Sequence, residues 1–433
     1  MNLLETCKAL IKEVALCNSC LGRCFARLVR GLSNSERGEA LKKVLAIEAE
    51  RLRNEGEEEG GELLVALAKS GFKPAMKVVG LEKPEPCYIC RGLMDTIPRF
   101  VEKAEEALKN YEFNNLLVGT KVPGDVVERE DSLWSRLSLN YGESIKSEVN
   151  RELRRALAQR LNKKIEFSSP DIVVIVNLVS GEIEVKPSPV FVYGRYRKLE
   201  PGIPQNKWFC SKCWGLGCEH CNWTGRMYPT SVEELVASPL AKLFEGREAK
   251  FHGAGREDVD VKVMGKGRPF VVEVKEPKKR FLDLSMVEAK INEYAKGKVE
   301  VHELRYSNRE EVRKLKMTAP VKEKSYVAKV KVEGGVTEEQ LKKLEEQLTG
   351  IVVKQRTPTR VLHRRADKIR MKKVYMLKAR LLNNDEVELT IKGQGGLYVK
   401  ELITGDGGRT SPSVAELLGR KVEVEELIVT HVE

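Results

Sequence analysis

The amino-acid sequence predicts an α/β (α+β) protein of more than one domain. Three observations predict it. Helical spacing dominates the first third of the chain. Short β-branched runs then alternate with helical stretches. A segment with two prolines and a glycine, LEPGIPQNKW at 199–208, separates two such regions. At roughly 100–200 residues per domain, 433 residues suit two to four units. With 41% hydrophobic and 32% charged residues the chain can bury sizeable cores and is not broadly disordered.

Residues 1–55 read as helical, with Leu41, Val44 and Leu45 at 3–4 spacing and Lys42, Lys43 and Arg51 on other faces. Residues 55–62, EGEEEGGE, read as an acidic, glycine-rich solvated loop. A second helix is expected over 101–111, where Val101, Ala104, Leu108 and Tyr111 share a stripe. Leu116–Val118 reads as a strand, 144–160 as a basic helix, and Ile172–Val176 as a buried strand. Short strands at 183–185 and 190–193 follow. The region of about 100–195 is therefore a compact α/β unit. Beyond the boundary at 199–208, strands at 259–263 and 270–274 flank an expected turn, MGKGRP. A helix follows at 284–295, then strands near 298–305 and 326–332. Thr337-Glu338-Glu339-Gln340 fits a capping box and opens a helix. Two strands within 374–392 are separated by Asn383-Asn384-Asp385.

No stretch approaches the ~18–20 uncharged apolar residues of a membrane span. The segment MNLLETCKALIKEVALCNSC lacks a basic n-region, and Lys8, Lys12 and Glu13 break its apolar run. A cytoplasmic protein without membrane partners is expected. The 76 basic and 64 acidic residues leave +12, a balance that permits a polyanionic partner.

Eight of the ten cysteines form four C-x-x-C pairs: Cys17/Cys20, Cys87/Cys90, Cys210/Cys213 and Cys218/Cys221. In a cytoplasmic setting this spacing reads as metal binding before disulfide. Two such turns supply the four thiolates of a closed, structural Zn²⁺ site. Cys17, Cys20, Cys87 and Cys90 are expected to form one, stapling segments far apart in sequence. Cys210, Cys213, Cys218 and Cys221, with the short spacer Trp-Gly-Leu-Gly, are candidates for a second in a Cys-rich segment at 208–225.

The segment FHGAGREDVDVKVMGKGRPFVVEV, 251–274, displays carboxylates next to small residues and an arginine. A carboxylate on such a loop can approach a substrate closely, and the arginine can hold a phosphate or orient the acid. Taken alone, an Asp beside an Arg is more often a surface ion pair. The wider context changes that reading. Gly255-Arg256-Glu257-Asp258 resembles the G-R-x-D loop of pseudouridine synthases, which carries their catalytic aspartate. The segments PVFVYGRYRKLEPGIPQNKW, FHGAGREDVDV, RTPTRVLHRRADKIR (356–370) and GLYVKELITGDGGRTSPSVAELL (396–418) together resemble one branch. That branch is the archaeal THUMP-containing tRNA pseudouridine synthases (the Pus-ten family). Glu257, at the third motif position, fits this branch and departs from others.

The resemblance implies isomerisation of uridine to pseudouridine in tRNA, at positions 54 and/or 55 of the T arm, with no catalytic cofactor. It implies a pseudouridine synthase catalytic fold with a mixed, mostly antiparallel sheet at 199–433. An accessory RNA-binding domain would span 1–198, with a THUMP-like unit at about 100–195. Asp258 matches the family aspartate. Lys400 matches the basic residue of the later motif and is expected to pair with Asp258. Tyr326 matches the active-site tyrosine, which stacks on the flipped base or abstracts a proton. Tyr398 and Arg256 are expected to contact substrate, and Leu417 to wall the uracil pocket. Asp260, two residues on, is expected on the same strand face as Asp258 and is the rival carboxylate.

Residues 351–380 hold eleven Lys/Arg against one acid, Asp367. Such a density supports a phosphate-gripping loop. In the family reading a thumb-like loop at about 354–372 carries Arg360, His363, Arg364 and Arg365 against the RNA. The expected partner is tRNA, bound by a monomer. A non-catalytic zinc-containing tRNA-binding protein would explain the charge and the cysteines. It leaves Asp258, Tyr326 and Lys400 in family order unexplained. A nucleotide-dependent thiouridine synthase would need a phosphate loop, and GKGRP at 265–269 is too short for one, so no nucleotide cofactor is expected.

Overall fold

A computed structural model describes residues 2–433, the side chain of Arg364 excepted. The chain forms two compact units, Met1–Ser188 and Pro189–Glu433. No helix among the described residues is long and apolar enough to cross a membrane.

The first unit opens with helices at Leu3–Glu13, Asn18–Arg23 and Asn34–Asn54, three helices where the sequence suggests one run. Ser33 restarts the chain as an N-cap, in a capping box with Glu36. The acidic stretch 55–62 is not a loop throughout. A helix over Glu58–Lys69 begins inside it, because Glu58 and Glu59 suit the positive end of a helix whose Leu63, Leu64 and Leu67 are buried. The helix Ile145–Leu161 buries Ile145, Val149, Leu153 and Leu157, one stripe at i, i+4 spacing. It packs against a four-stranded sheet of order β2-β1-β3-β4. The strands are β1 (Asn115–Lys121), β2 (Lys164–Ile165), β3 (Ile172–Asn177) and β4 (Ile183–Pro187). Strand β1 runs parallel to β2 and β3, and β4 is antiparallel to β3. In β3 only alternate residues, Ile172, Val174 and Val176, are fully buried.

The second unit holds a ten-stranded sheet of order β13-β10-β11-β12-β9-β14-β7-β5-β8, with β6 also paired to β7. Its strands are β5 (Val190–Lys198), β6 (Glu248–Gly253), β7 (Lys262–Lys275), β8 (Val299–Ser307) and β9 (Glu323–Val332). They continue with β10 (Val352–Arg356), β11 (Ile369–Leu381), β12 (Glu386–Gln394), β13 (Thr410–Ser411) and β14 (Val422–Val432). All pairings are antiparallel except β14 with β7. Strand β5 hydrogen-bonds to β7 and β8. The division between units therefore falls at 188/189, not in the segment 199–208.

The stretch MGKGRP is not a turn between two strands. It lies inside the single long strand β7. Gly265 there has φ +58°, and a Cβ on it would lie 2.2 Å from the Thr430 carbonyl of β14. The glycine thus admits a close strand crossing that no side chain would allow. The helices Leu284–Ala295 and Glu338–Leu348 form where the spacing and the Thr337 capping box predict them. Asn383–Asp385 closes the hairpin between β11 and β12.

Candidate active site

The loop between β6 and β7 carries Gly255-Arg256-Glu257-Asp258. Gly255 has φ +79°, and a Cβ on it would lie 2.8 Å from Lys324 Nζ. The backbone of this loop is clamped from beneath. Gln205 Nε2 donates to the Gly255 carbonyl at 2.9 Å, and Arg268 Nη1 to that of Ala254 at 2.9 Å. Lys198 Nζ donates to the carbonyls of Asp258 (3.1 Å), Val259 (2.9 Å) and Ile203 (2.8 Å). Burial holds the Lys198 ammonium down, to about 8.

Glu257 is buried. It accepts from Tyr196 Oη at 2.9 Å and forms an ion pair with Arg268 at 2.8 Å. The Arg268 Nε–H itself is not aimed at any acceptor. Glu257 is thus the underside of the loop, and its neighbour Asp258 is the top.

Asp258 lines a cleft of about 510 Å³, together with Tyr326, Arg360, Tyr398, Lys400 and Leu427. Asp260 does not line it. Residues 259–260 form a turn, not a strand, so alternation does not place the two aspartates on one face. The Asp258 side chain is 34% exposed and that of Asp260 66%.

The expected Lys400–Asp258 pair is not formed. Lys400 Nζ pairs with Asp260, and Arg360 Nη1 takes Asp258 Oδ1 at 2.9 Å. The turn swings Asp260 outward to the start of the helix Val399–Thr404, where Lys400 stands. Arg360 Nε also donates to Glu401 Oε1 at 2.6 Å. Lys400 pulls the Asp260 carboxyl below its ordinary value against the opposing effect of burial.

Tyr326, on β9, is 8% exposed and lines the cleft. Burial raises its hydroxyl to about 12, so it stays protonated at neutral pH. Tyr398 Oη accepts from Arg365 Nη1 at 3.3 Å. Leu417 does not wall the cleft. Its short helix, Val414–Leu418, packs it against the core, as it does Leu418. Leu397, Leu427 and Val429 line the cleft instead.

The thumb-like loop lies between β10 and β11. Its one acid, Asp367, pairs with Arg356 and Arg409, both at 2.7 Å, and Thr357 Oγ1 donates to the Ala366 carbonyl at 2.8 Å. Arg360 and Arg365 line the cleft, whereas His363 is exposed and does not. The side chain of Arg364 lies outside the described residues. Arg256 is exposed at the cleft, with its guanidinium 5.1 Å from the centre of the Trp208 ring.

Four residues that matter here were not among the candidates named from the sequence: Lys198, Arg268, Lys324 and Glu401. Each acts across distant strands or loops. Lys324 alone had a usable clue, since it stands two residues from Tyr326 on one strand and so shares its face.

Both cysteine tetrads are assembled. In each, the four sulfurs lie within 4.8 Å of one another, and all ten cysteines are free thiols. Cys17–Cys90 sulfurs are 3.7 Å apart, Cys210–Cys218 and Cys213–Cys221 3.8 Å, and Cys218–Cys221 3.7 Å. Zn–S bonds of about 2.3 Å in a tetrahedron put sulfurs about 3.8 Å apart. Backbone N–H groups of Gly217, Cys218 and Gly225 point at sulfurs of the second tetrad from 3.2–3.3 Å. Such donors stabilise thiolates. Four sulfurs at this spacing fit a tetrahedral soft cation, so both tetrads could hold a metal. Cys7 and Cys24 stand outside them, buried, with thiols pushed up to about 12 mainly by desolvation.

The family model described as Pus10, C-terminal, matches residues 191–433, and that of the archaeal Pus10 THUMP domain matches 100–177. The tRNA pseudouridine synthase Pus10 of Thermofilum pendens is 43% identical over 431 residues, covering 98% of this chain and 94% of the relative. That of Methanothrix thermoacetophila is 40% identical over 433 residues, covering 100% and 94%. A chain of a solved Cbf5-Nop10-Gar1 complex is 20% identical over 46% of this chain and 45% of that one, with a TM-score of 0.28, and is too remote to weigh.

Proposed function

Because the chain belongs to the Pus10 family and is a tRNA pseudouridine synthase, an isomerase, we propose that Asp258 is the carboxylate that opens the glycosidic bond of a T-arm uridine, at position 54, 55 or both. One observation carries the choice of residue. Of the two aspartates on the loop, Asp258 lines the cleft and Asp260 does not.

The reaction breaks N1–C1′ of uridine, turns the uracil, and forms C5–C1′. A proton leaves C5 and one is gained at N1. Nothing is oxidised and no group leaves the substrate, so this reading needs no catalytic cofactor. A carboxylate suits the first step because it can bond to, or stabilise, an electron-poor C1′. Arg360 places a guanidinium 2.9 Å from the Asp258 carboxylate and so fixes its position at the cleft. Lys400 acts one residue removed, by holding Asp260 away from the cleft. Tyr326 offers a protonated phenol and an aromatic face to the base, and Leu427 with Val429 offers an apolar wall.

Arg256, Arg365 and Tyr398 supply contacts to the RNA at the cleft, and Arg360, His363 and Arg364 belong to the thumb-like loop that helps extrude the base. Extrusion costs a few kcal/mol, which cationic contacts to phosphates offset. The THUMP domain adds affinity for tRNA, and structural zinc at the two cysteine tetrads holds their loops. The accompanying reading is a cytoplasmic monomer.

The test is pseudouridine mapping on an unmodified tRNA transcript by carbodiimide labelling and primer extension. Wild type is expected to mark T-arm uridines, Asp258→Ala to mark none, and Asp260→Ala to retain the signal. Signal that survives in Asp258→Ala and vanishes in Asp260→Ala would transfer the role to Asp260.

A further inference from the structure

Lys324 is a buried cation in the cleft. It is 6% exposed and lines the same cleft as Asp258 and Tyr326. Its ammonium makes no hydrogen bond or ion pair with any described residue. Buried lysines elsewhere in this chain do find partners: Lys42 donates to the Ser70 carbonyl at 2.6 Å, and Lys198 to three carbonyls. An unpaired buried amine is costly unless it serves a ligand. Lys324 Nζ stands against the backbone of the Asp258 loop, 2.8 Å from where a Cβ on Gly255 would lie. By strand alternation Lys324 and Tyr326 face the cleft side by side.

Resting on the reading of the cleft above, we infer that Lys324 is the base that removes the C5 proton of the rotated uracil after the C5–C1′ bond has formed. At that stage C5 is tetrahedral and carries both hydrogen and C1′, with a double bond between N1 and C6. The amine lone pair takes the C5 proton. The C–H electron pair becomes the C5–C6 double bond, the former N1–C6 π pair moves to N1, and N1 takes a proton from the ammonium or from water. The sum exchanges C5–H for N1–H.

The electrostatics agree with this geometry. Burial, then the cations Arg268 of β7 and Lys372 of β11, lower the Lys324 ammonium to about 7, with Glu257 opposing them. A neutral amine is therefore present near neutrality. Tyr326 is pushed the other way and is a poor base there. Asp258, Arg256, Arg360, Arg365, Arg370 and Lys400 are the remaining charged groups that line the cleft.

The experiment follows single-turnover pseudouridine formation on a tRNA transcript against pH, with tRNA affinity measured alongside. Lys324→Met and Lys324→Arg are both expected to slow the reaction about 100-fold, the low end of general-base effects, while tRNA binding changes less than about twofold. The arginine variant separates roles, since a guanidinium keeps the charge and the donors but cannot act as a base. The wild-type rate should rise with pH and level off above about 7, and this limb should be missing in both variants. Deuterium at C5 should slow Lys324→Met more than wild type. Methylamine should restore Lys324→Ala in proportion to its free-base concentration. A Lys324→Arg enzyme within about threefold of wild type, an unchanged pH limb in Lys324→Met, or no rescue despite intact tRNA binding would each overturn the inference. A wild-type enzyme that forms no pseudouridine would instead overturn the reading on which it rests.

Discussion

Arg360 joins two carboxylates from different parts of the second unit: Nη1 meets Asp258 Oδ1 at 2.9 Å and Nε meets Glu401 Oε1 at 2.6 Å. Glu401 is 5% exposed at its side chain and anchors the guanidinium, whereas Asp258 faces the cleft. The loop between β10 and β11 and the loop that carries Asp258 are therefore linked through one side chain. Charge-assisted hydrogen bonds contribute about 1.5–3 kcal/mol. Replacing Arg360 by Met should lower the single-turnover rate about 10- to 100-fold. Glu401→Gln should have a smaller effect in the same direction, because Arg360 keeps one of its two anchors. Rates equal to wild type in Arg360→Met would show that Asp258 needs no such partner.

The pair beneath the Asp258 loop should matter for stability first. Glu257 and Arg268 side chains are 1% and 2% exposed. Removing one partner of a buried pair typically costs 3–5 kcal/mol. Glu257→Ala should lose about that much in the denaturant-induced unfolding of the second unit. It should also lose activity, since the loop would no longer hold Asp258. Unchanged unfolding with lost activity would mean that Glu257 acts on the substrate directly.

Cationic residues of the thumb-like loop should be read through salt. Each phosphate contact contributes about 0.7–0.9 to the slope of log affinity against log salt. The Arg364→Ala, Arg365→Ala double variant should weaken tRNA binding and flatten that slope by about one to two. An unchanged slope would remove these arginines from the RNA surface.

Much of the fold was legible because its signals are local. The stripe Ile145, Val149, Leu153 and Leu157 and the capping box at Thr337 depend on residues a turn apart. The turn at Asn383–Asp385 is equally local. The errors arose where long-range packing decides. MGKGRP carries two turn-forming glycines, yet pairing with β5 draws it into one strand. Strand β5 lies before the proline-bearing segment but is claimed by β7 and β8. The site shows the same division. Asp258, Tyr326 and Lys400 stand in short motifs and could be found by resemblance. Arg360 as the partner of Asp258, and Leu427 in place of Leu417, depend on how separate strands and loops meet. The turn at 259–260 reassigned Lys400 to Asp260, and no spacing argument contains it.

The two tetrads predict a metal content. Purified protein should carry two zinc ions per chain, as expected for four thiolates each. Cys87→Ser should release one and Cys218→Ser the other, each with a lower melting temperature. Protein that holds no zinc, with all ten thiols titratable, would leave the tetrads without their assigned role.

The central claim is that Asp258, and not its neighbour, initiates the isomerisation. It is tested most directly by tritium release from a tRNA transcript labelled at uridine C5, since that hydrogen leaves only when the new bond forms. Asp258→Asn should release no tritium above background while Asp260→Asn remains active and both bind tRNA like wild type. Sustained release by Asp258→Asn would contradict the account.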